Sequence, residues 1–233
     1  SFIDLVAEPA VSEAGITTLA ANPPGFAENS PPDDFTYATT EYAELIEALA
    51  ESERIDLLAG HSLSANILIE VAARNNFTGP IVLLDPCLRQ RNEYRSVRLL
   101  RRLELIPPLA KRAYAATTKS FPESMRGLIR PERLDEIVAD MQKTPPEQNR
   151  AVINGYFDHL EQYGTLAARL ADARGEIHYV RGDAESIGFD REDIQKIVAQ
   201  ENVTTHAVSN SDHFTMLDNP KEVSEILVAA LNL

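Results

Sequence analysis

Ser62 lies in the run LLAGHSLSANILIEVA (residues 57–72), between a short apolar stretch and a helical pattern. A serine hydroxyl becomes a useful nucleophile only when a base removes its proton and N–H donors hold the oxyanion that develops. A tight strand–turn–helix does part of both. It lifts the serine above a sheet and aims the backbone N–H of the next residue, Leu63, at the oxyanion. The turn requires small residues two before and two after the serine. Gly60 meets the first requirement, and Ser64 stands in the second position, where glycine is usual. The competing reading makes Ser62 an ordinary helix N-cap.

A base is available late in the chain. In SDHFTMLDNPKEVSEIL, His213 falls between the last apolar strand pattern and the last helical one, where an imidazole can reach back over a sheet to the serine. His206, inside VTTHAVS, reads as structural. His61 flanks the serine and reads as a passive shaper of the turn. His159 and His178 show no partner in the sequence.

These residues must be positioned by regular elements. GITTLAAN (15–22) reads as a strand ending at the turn NPPGF. TYATTEYAELIEALAES reads as a helix capped by Thr36 or a neighbour, with Tyr42, Leu45, Ile46 and Leu49 on one face. RIDLLAG is a strand, and SANILIEVAARNN a helix burying Ile67, Leu68 and Val71. GPIVLLDP is a continuous apolar strand of the kind a doubly covered parallel sheet demands. Strand EIHYVRG, helix DREDIQKIVAQ, strand VTTHAVS and helix NPKEVSEILVAAL complete the alternation, which means a parallel α/β sheet. Residues 88–174 offer no convincing strand, several amphipathic helical stretches and repeated prolines. They read as a helical insertion over the C-terminal edge of the sheet, where ligands bind in such folds. The core is then 1–87 with 175–233.

In GHSLS, IVLLDP, YVRGDAES and SDHFTMLDNP, in that order, the chain resembles the α/β-hydrolase superfamily over nearly its whole length. The resemblance implies a mostly parallel sheet with a helical lid, and a Ser–acid–His triad. Ser62 and His213 carry over directly. The acid stays open. Many members place it after the penultimate strand as Gly-x-x-acid, which selects Glu185 in RGDAES, with Asp183 close by. Other members, notably thioesterase domains, place it after the strand preceding the insertion, here Asp85. Whichever carboxylate meets the imidazole fixes its tautomer and stabilises the imidazolium.

The resemblance also implies an early central strand, followed by a loop that gives the second oxyanion donor. Ser1 stands where the next helix should be, since SFIDLVAEPAVSEAG matches that helix. Three readings follow: the sequence is part of a longer protein, FIDLVAEP is itself a shortened strand, or another chain supplies the strand.

Composition narrows the function classes. The chain has 233 residues, one cysteine (Cys87) and a net charge of -14. One core with an insertion is expected. A lone cysteine excludes an internal disulfide and fits a reducing, cytoplasmic setting. No apolar run is long enough to span a bilayer, and the acidic balance argues against a general nucleic-acid binder. Between Cys87 and Arg133, however, 12 Lys/Arg face four Glu, so this segment carries +8 and the remainder -22. The excess reads either as solvated helix faces that help the insertion adhere to an acidic body, or as attraction for an anionic, CoA-linked or carrier-bound substrate. Arg91, Arg95, Arg98 and Arg102 recur at helical spacing. Binding to a membrane surface is the weaker option, because the segment lacks an aromatic face.

The expectation is a serine hydrolase acting on an ester or thioester through an acyl-enzyme, without metal or organic cofactor. The alternatives are a non-hydrolytic or C–C-cleaving enzyme on the same fold, and a binding protein with a vestigial site.

Overall fold

The computed structural model describes residues 2–26, 29–125, 129, 131–184 and 190–232. Two short helices, α1 (Ile3–Val6) and α2 (Pro9–Glu13), precede the long α3 (Thr39–Glu53). Strand β1 (Leu58–His61) leads through a one-residue turn into α4 (Leu63–Arg74), then β2 (Ile81–Leu84). Helices α5 (Arg95–Leu103), α6 (Pro107–Met125), α7 (Pro131–Gln142), α8 (Pro146–Tyr163) and α9 (Leu166–Leu170) follow. The alternation resumes with β3 (Ile177–Gly182), α10 (Arg191–Val198), β4 (Val203–Val208), α11 (Thr215–Asp218) and α12 (Pro220–Ala230).

The four strands form a parallel sheet in the order β1-β2-β3-β4, with Leu83 opposite both Gly60 and Tyr179. β2 is buried at every position, as a strand covered on both faces must be. One face packs Leu83, Ile177 and Tyr179 against Ile67, Val71, Phe157 and Leu170. The other packs Val82, Leu84, Val180 and Val208 against Leu5, Met216, Val223 and Ile226. The alternating Cβ directions of a strand separate these two sets.

The α/β class and the helix–strand order agree with the sequence, with three differences in detail. Residues 15–22, expected as a strand, take no regular structure and are mostly exposed. A single strand has no ladder to satisfy its backbone groups. Among the described residues, β1 is paired only on its β2 side. In α3 the buried face is Tyr42, Ala43 and Ala50, whereas Leu45 is exposed. Thr36 stands outside the helix and hydrogen-bonds Glu41 with its hydroxyl at 2.7 Å.

Residues 88–174 are helical throughout their regular elements, and ion pairs tie Arg89 and Arg91 to α10 and join helices of the insertion to one another. Arg89 forks onto Asp193 of α10 at 2.5 and 2.6 Å, and Arg91 meets Asp190. Arg101 reaches Asp158 and Glu161 of α8, and Arg150 of α8 holds Glu104. Part of the basic excess is therefore used to attach these helices to acidic partners. Beneath them, Glu70 of α4 accepts two hydrogen bonds from Arg169, both at 2.8 Å, and lies 3.1 Å from His159. This gives His159 the partner that its sequence context did not reveal. His178 likewise meets His206 of the next strand at 3.0 Å, with the rings stacked, and Glu176 at 3.0 Å.

Candidate active site

β1 ends at His61 and α4 begins at Leu63, so Ser62 alone makes the turn. Its backbone is held at φ 54°, ψ -117°, a conformation that L-residues other than glycine adopt at a cost. The Ser62 N–H donates to Leu84 O at 2.9 Å, and Ser62 O accepts from the Asn66 N–H at 3.0 Å. The need for a small residue at 60 is direct: a Cβ on Gly60 would stand 2.9 Å from the Ser64 carbonyl carbon and 2.9 Å from a Leu68 methyl. Ser62 occupies the N-cap position of α4, yet its side chain makes no capping hydrogen bond. Its Oγ instead lies 3.2 Å from Nε2 of His213.

His213 is buried in the loop between β4 and α11. That loop crosses the end of β3 closely, since a Cβ on Gly182 would come within 2.3 Å of Ser211 O and 2.5 Å of Asp212 O. A second imidazole fixes the loop: His61 Nε2 donates to the His213 carbonyl at 2.7 Å. Burial and the neighbouring His213 hold the His61 pKa down to about 3, so His61 stays neutral and keeps this donor at ordinary pH. Phe214 packs 5.0 Å from the His61 ring, and Tyr94, at the start of α5, meets the His213 ring edge-on at 6.0 Å. The sequence signalled His61 only by its adjacency to Ser62, and it gave no signal for Tyr94.

The three candidate acids occupy different settings. Asp85, directly after β2 at φ 48°, is buried and accepts from Gly182 N–H at 3.0 Å and from the Thr215 hydroxyl at 2.8 Å. Both its oxygens therefore join the end of β3 to the start of α11. Asp183 accepts from the Ser211 N–H at 3.2 Å, and the Asn210 and Ser211 N–H groups hold its carboxyl below the usual range. Ala184 N–H donates to Ser211 O at 3.0 Å, two residues before His213. Glu185 lies outside the described residues.

Leu63 opens the twelve-residue α4, so its N–H belongs to the positive end of a helix dipole directly beside the serine. Arg98 lies one helical turn beyond Tyr94 on the same side of α5. Its Nε is sealed from solvent with no hydrogen-bond partner, and Arg98 forms no ion pair among the described residues. A serine on a strained turn, an imidazole 3.2 Å from its hydroxyl and a helix-end N–H beside it form a set suited to attack on a carbonyl.

The profile of the alpha/beta hydrolase family matches residues 2–226. No curated protein sequence matches the chain significantly. Among solved structures, it is similar to E-2-(acetamidomethylene)succinate hydrolase (TM-score 0.72, 16% identity, covering 99% of this chain and 87% of that one). It is also similar to the epoxide hydrolase CorEH (0.72, 17%, covering 100% and 87%). A monoacylglycerol lipase from Paleococcus ferrophilus is a third (0.67, 17%, covering 99% and 88%). With its parallel sheet, its turn at Ser62 and this match over nearly the whole length, the chain belongs to the alpha/beta hydrolase family.

Proposed function

We propose that the protein is a serine hydrolase that cleaves an ester or thioester through a covalent acyl-enzyme. The observation that carries this reading is the strained Ser62, whose hydroxyl forgoes the helix cap and meets His213 Nε2 at 3.2 Å. Ser62 Oγ attacks the carbonyl carbon while His213 takes its proton. The carbonyl oxygen, now negative, is held by the Leu63 N–H. Collapse breaks the bond to the leaving alkoxide or thiolate, to which His213 returns the proton. Water, deprotonated by His213, then attacks the acyl carbonyl and releases the carboxylic acid and Ser62.

Glu185 is the favoured acid behind His213, with Asp85 the alternative. Support for Glu185 comes from the course of Ala184, whose N–H meets Ser211 two residues before His213. Arg98 supports an anionic group on the substrate, because a half-buried guanidinium with no carboxylate of its own gains a strong charge-assisted partner when one binds.

Reaction with a fluorophosphonate probe tests the reading. Ser62 is expected to be labelled and Ser62→Ala to lose both labelling and turnover of an activated ester. Full turnover by Ser62→Ala would falsify it.

A further inference from the structure

The corner between α5 and α6 holds four large aliphatic side chains in solvent. Leu105 is 88% exposed, Leu99 56%, Ile106 55% and Leu109 44%. Single exposed leucines are ordinary, but four within eleven residues, from α5 across the connection into α6, are a local concentration of exposed aliphatic surface. Cations surround it. Arg95 and Arg102 neighbour Leu99 along α5 at helical spacing, and Arg112 follows Leu109 by three. All three are exposed, and none forms an ion pair among the described residues. Lys111 is held by Glu147 at 2.6 Å. Glu104, the one carboxylate between residues 94 and 112, is turned away to Arg150 on α8 at 2.5 Å.

The patch therefore combines an aliphatic tip with an uncompensated basic rim, on a segment of +8 attached to a remainder of -22. An anionic surface attracts Arg95, Arg102 and Arg112, which favours approach with this corner foremost. An acidic protein would satisfy the arginines but would also need apolar pockets placed for Leu105 and Ile106. A lipid surface satisfies both features, with apolar side chains entering the acyl boundary beneath the headgroups. No described helix is long and apolar enough to cross a membrane, so the contact is with the surface.

We propose that the α5–α6 corner seats the protein on an anionic lipid surface, with Leu105 and Ile106 inserted and Arg95, Arg102 and Arg112 on the headgroups. The same helix that begins beside His213 at Tyr94 ends at this corner. Resting on the hydrolase reading above, the substrate class becomes an ester or thioester of an amphiphile presented at that surface.

Co-sedimentation of the full chain with phosphatidylglycerol–phosphatidylcholine vesicles tests the docking directly. Retention is expected on these vesicles, weaker on phosphatidylcholine alone and reduced by salt. The double variant Leu105→Ser, Ile106→Ser should lower the partition coefficient about tenfold or more. Arg95→Gln with Arg102→Gln should lower it on anionic vesicles and flatten the salt dependence. Both variants should keep the wild-type melting temperature and turnover of a short soluble ester. Ser62→Ala should bind vesicles like the wild type, which separates failure of docking from failure of the catalytic reading. The proposal is overturned if anionic vesicles retain nothing, or if the Leu105/Ile106 variant is retained as well as the wild type. It is equally overturned if these substitutions abolish a dimer in sedimentation velocity while leaving vesicle binding unchanged.

Discussion

His61 Nε2 donates to the main-chain carbonyl of His213 at 2.7 Å, so the residue immediately before Ser62 holds the loop that carries His213. Ser62 and His213 are 151 residues apart in sequence, and this contact ties the side chain beside Ser62 to the main chain of His213. On the proposed mechanism, His61 is a positioning residue that stays out of the chemistry. His61→Ala should lower kcat on a soluble ester by about 10- to 100-fold, because misplacement of a base by about 1 Å has that effect. KM should change little. A variant with unchanged kcat would remove His61 from this role.

Asp85 and Glu185 should separate by what they damage. Asp85→Asn disturbs a buried carboxylate that joins Gly182 to Thr215, and should cost about 1–3 kcal/mol in denaturant unfolding. Glu185→Gln should leave stability near wild type and lower kcat by about 10³- to 10⁴-fold, as loss of the imidazole's carboxylate does in triad enzymes. The opposite pattern would assign the acid to Asp85.

Stability should decline in two overlapping stages on acidification. His61, whose usual pKa is 6.5, is held down to about 3 in the fold, so the unfolded chain binds more protons between those values. Its contribution is complete above about pH 6.5 and lost as pH falls toward 3. Burial of Glu70 would raise its pKa, but hydrogen bonds from Arg169 and His159 outweigh this and hold it at about 2 against a usual 4.5. That contribution is complete above 4.5 and lost toward pH 2. Urea midpoints measured from pH 7 to 3 should therefore fall steadily. His61→Asn should flatten the upper part of the curve, and Glu70→Gln the lower.

Gly60→Ala should damage the turn that presents the serine. The added methyl meets Ser64 main chain at 2.9 Å, a contact that side-chain movement cannot relieve. A cost of about 1–3 kcal/mol is expected, with loss of fluorophosphonate labelling at temperatures where the protein remains folded. Normal labelling rates in Gly60→Ala would show that the turn tolerates the displacement.

The elements around the site were legible because each declares itself locally. The apolar runs at 57–60 and 81–84, the helical pattern after Ser62 and the late His213 all carry their own signals. Residues 15–22 did not follow their local pattern, because a strand is made by its partner and these residues pair with none among the described residues. The contacts of His61, His159 and His178 were invisible for a related reason. Their partners lie 152, 89 and 28 residues away, and only the folded sheet and its covering helices bring them together. The basic stripe divided in a way that spacing alone could not foresee. Arg91 is paired, Arg98 is half-buried, and Arg95 and Arg102 face solvent.

The φ of 54° at Ser62 implies that chemistry and durability are opposed at this position. A residue with a Cβ held there gives up about 1 kcal/mol or more that glycine would keep. Ser62→Gly, which removes the proposed nucleophile, should therefore raise the melting temperature, so that the variant lacking that hydroxyl outlasts the wild type.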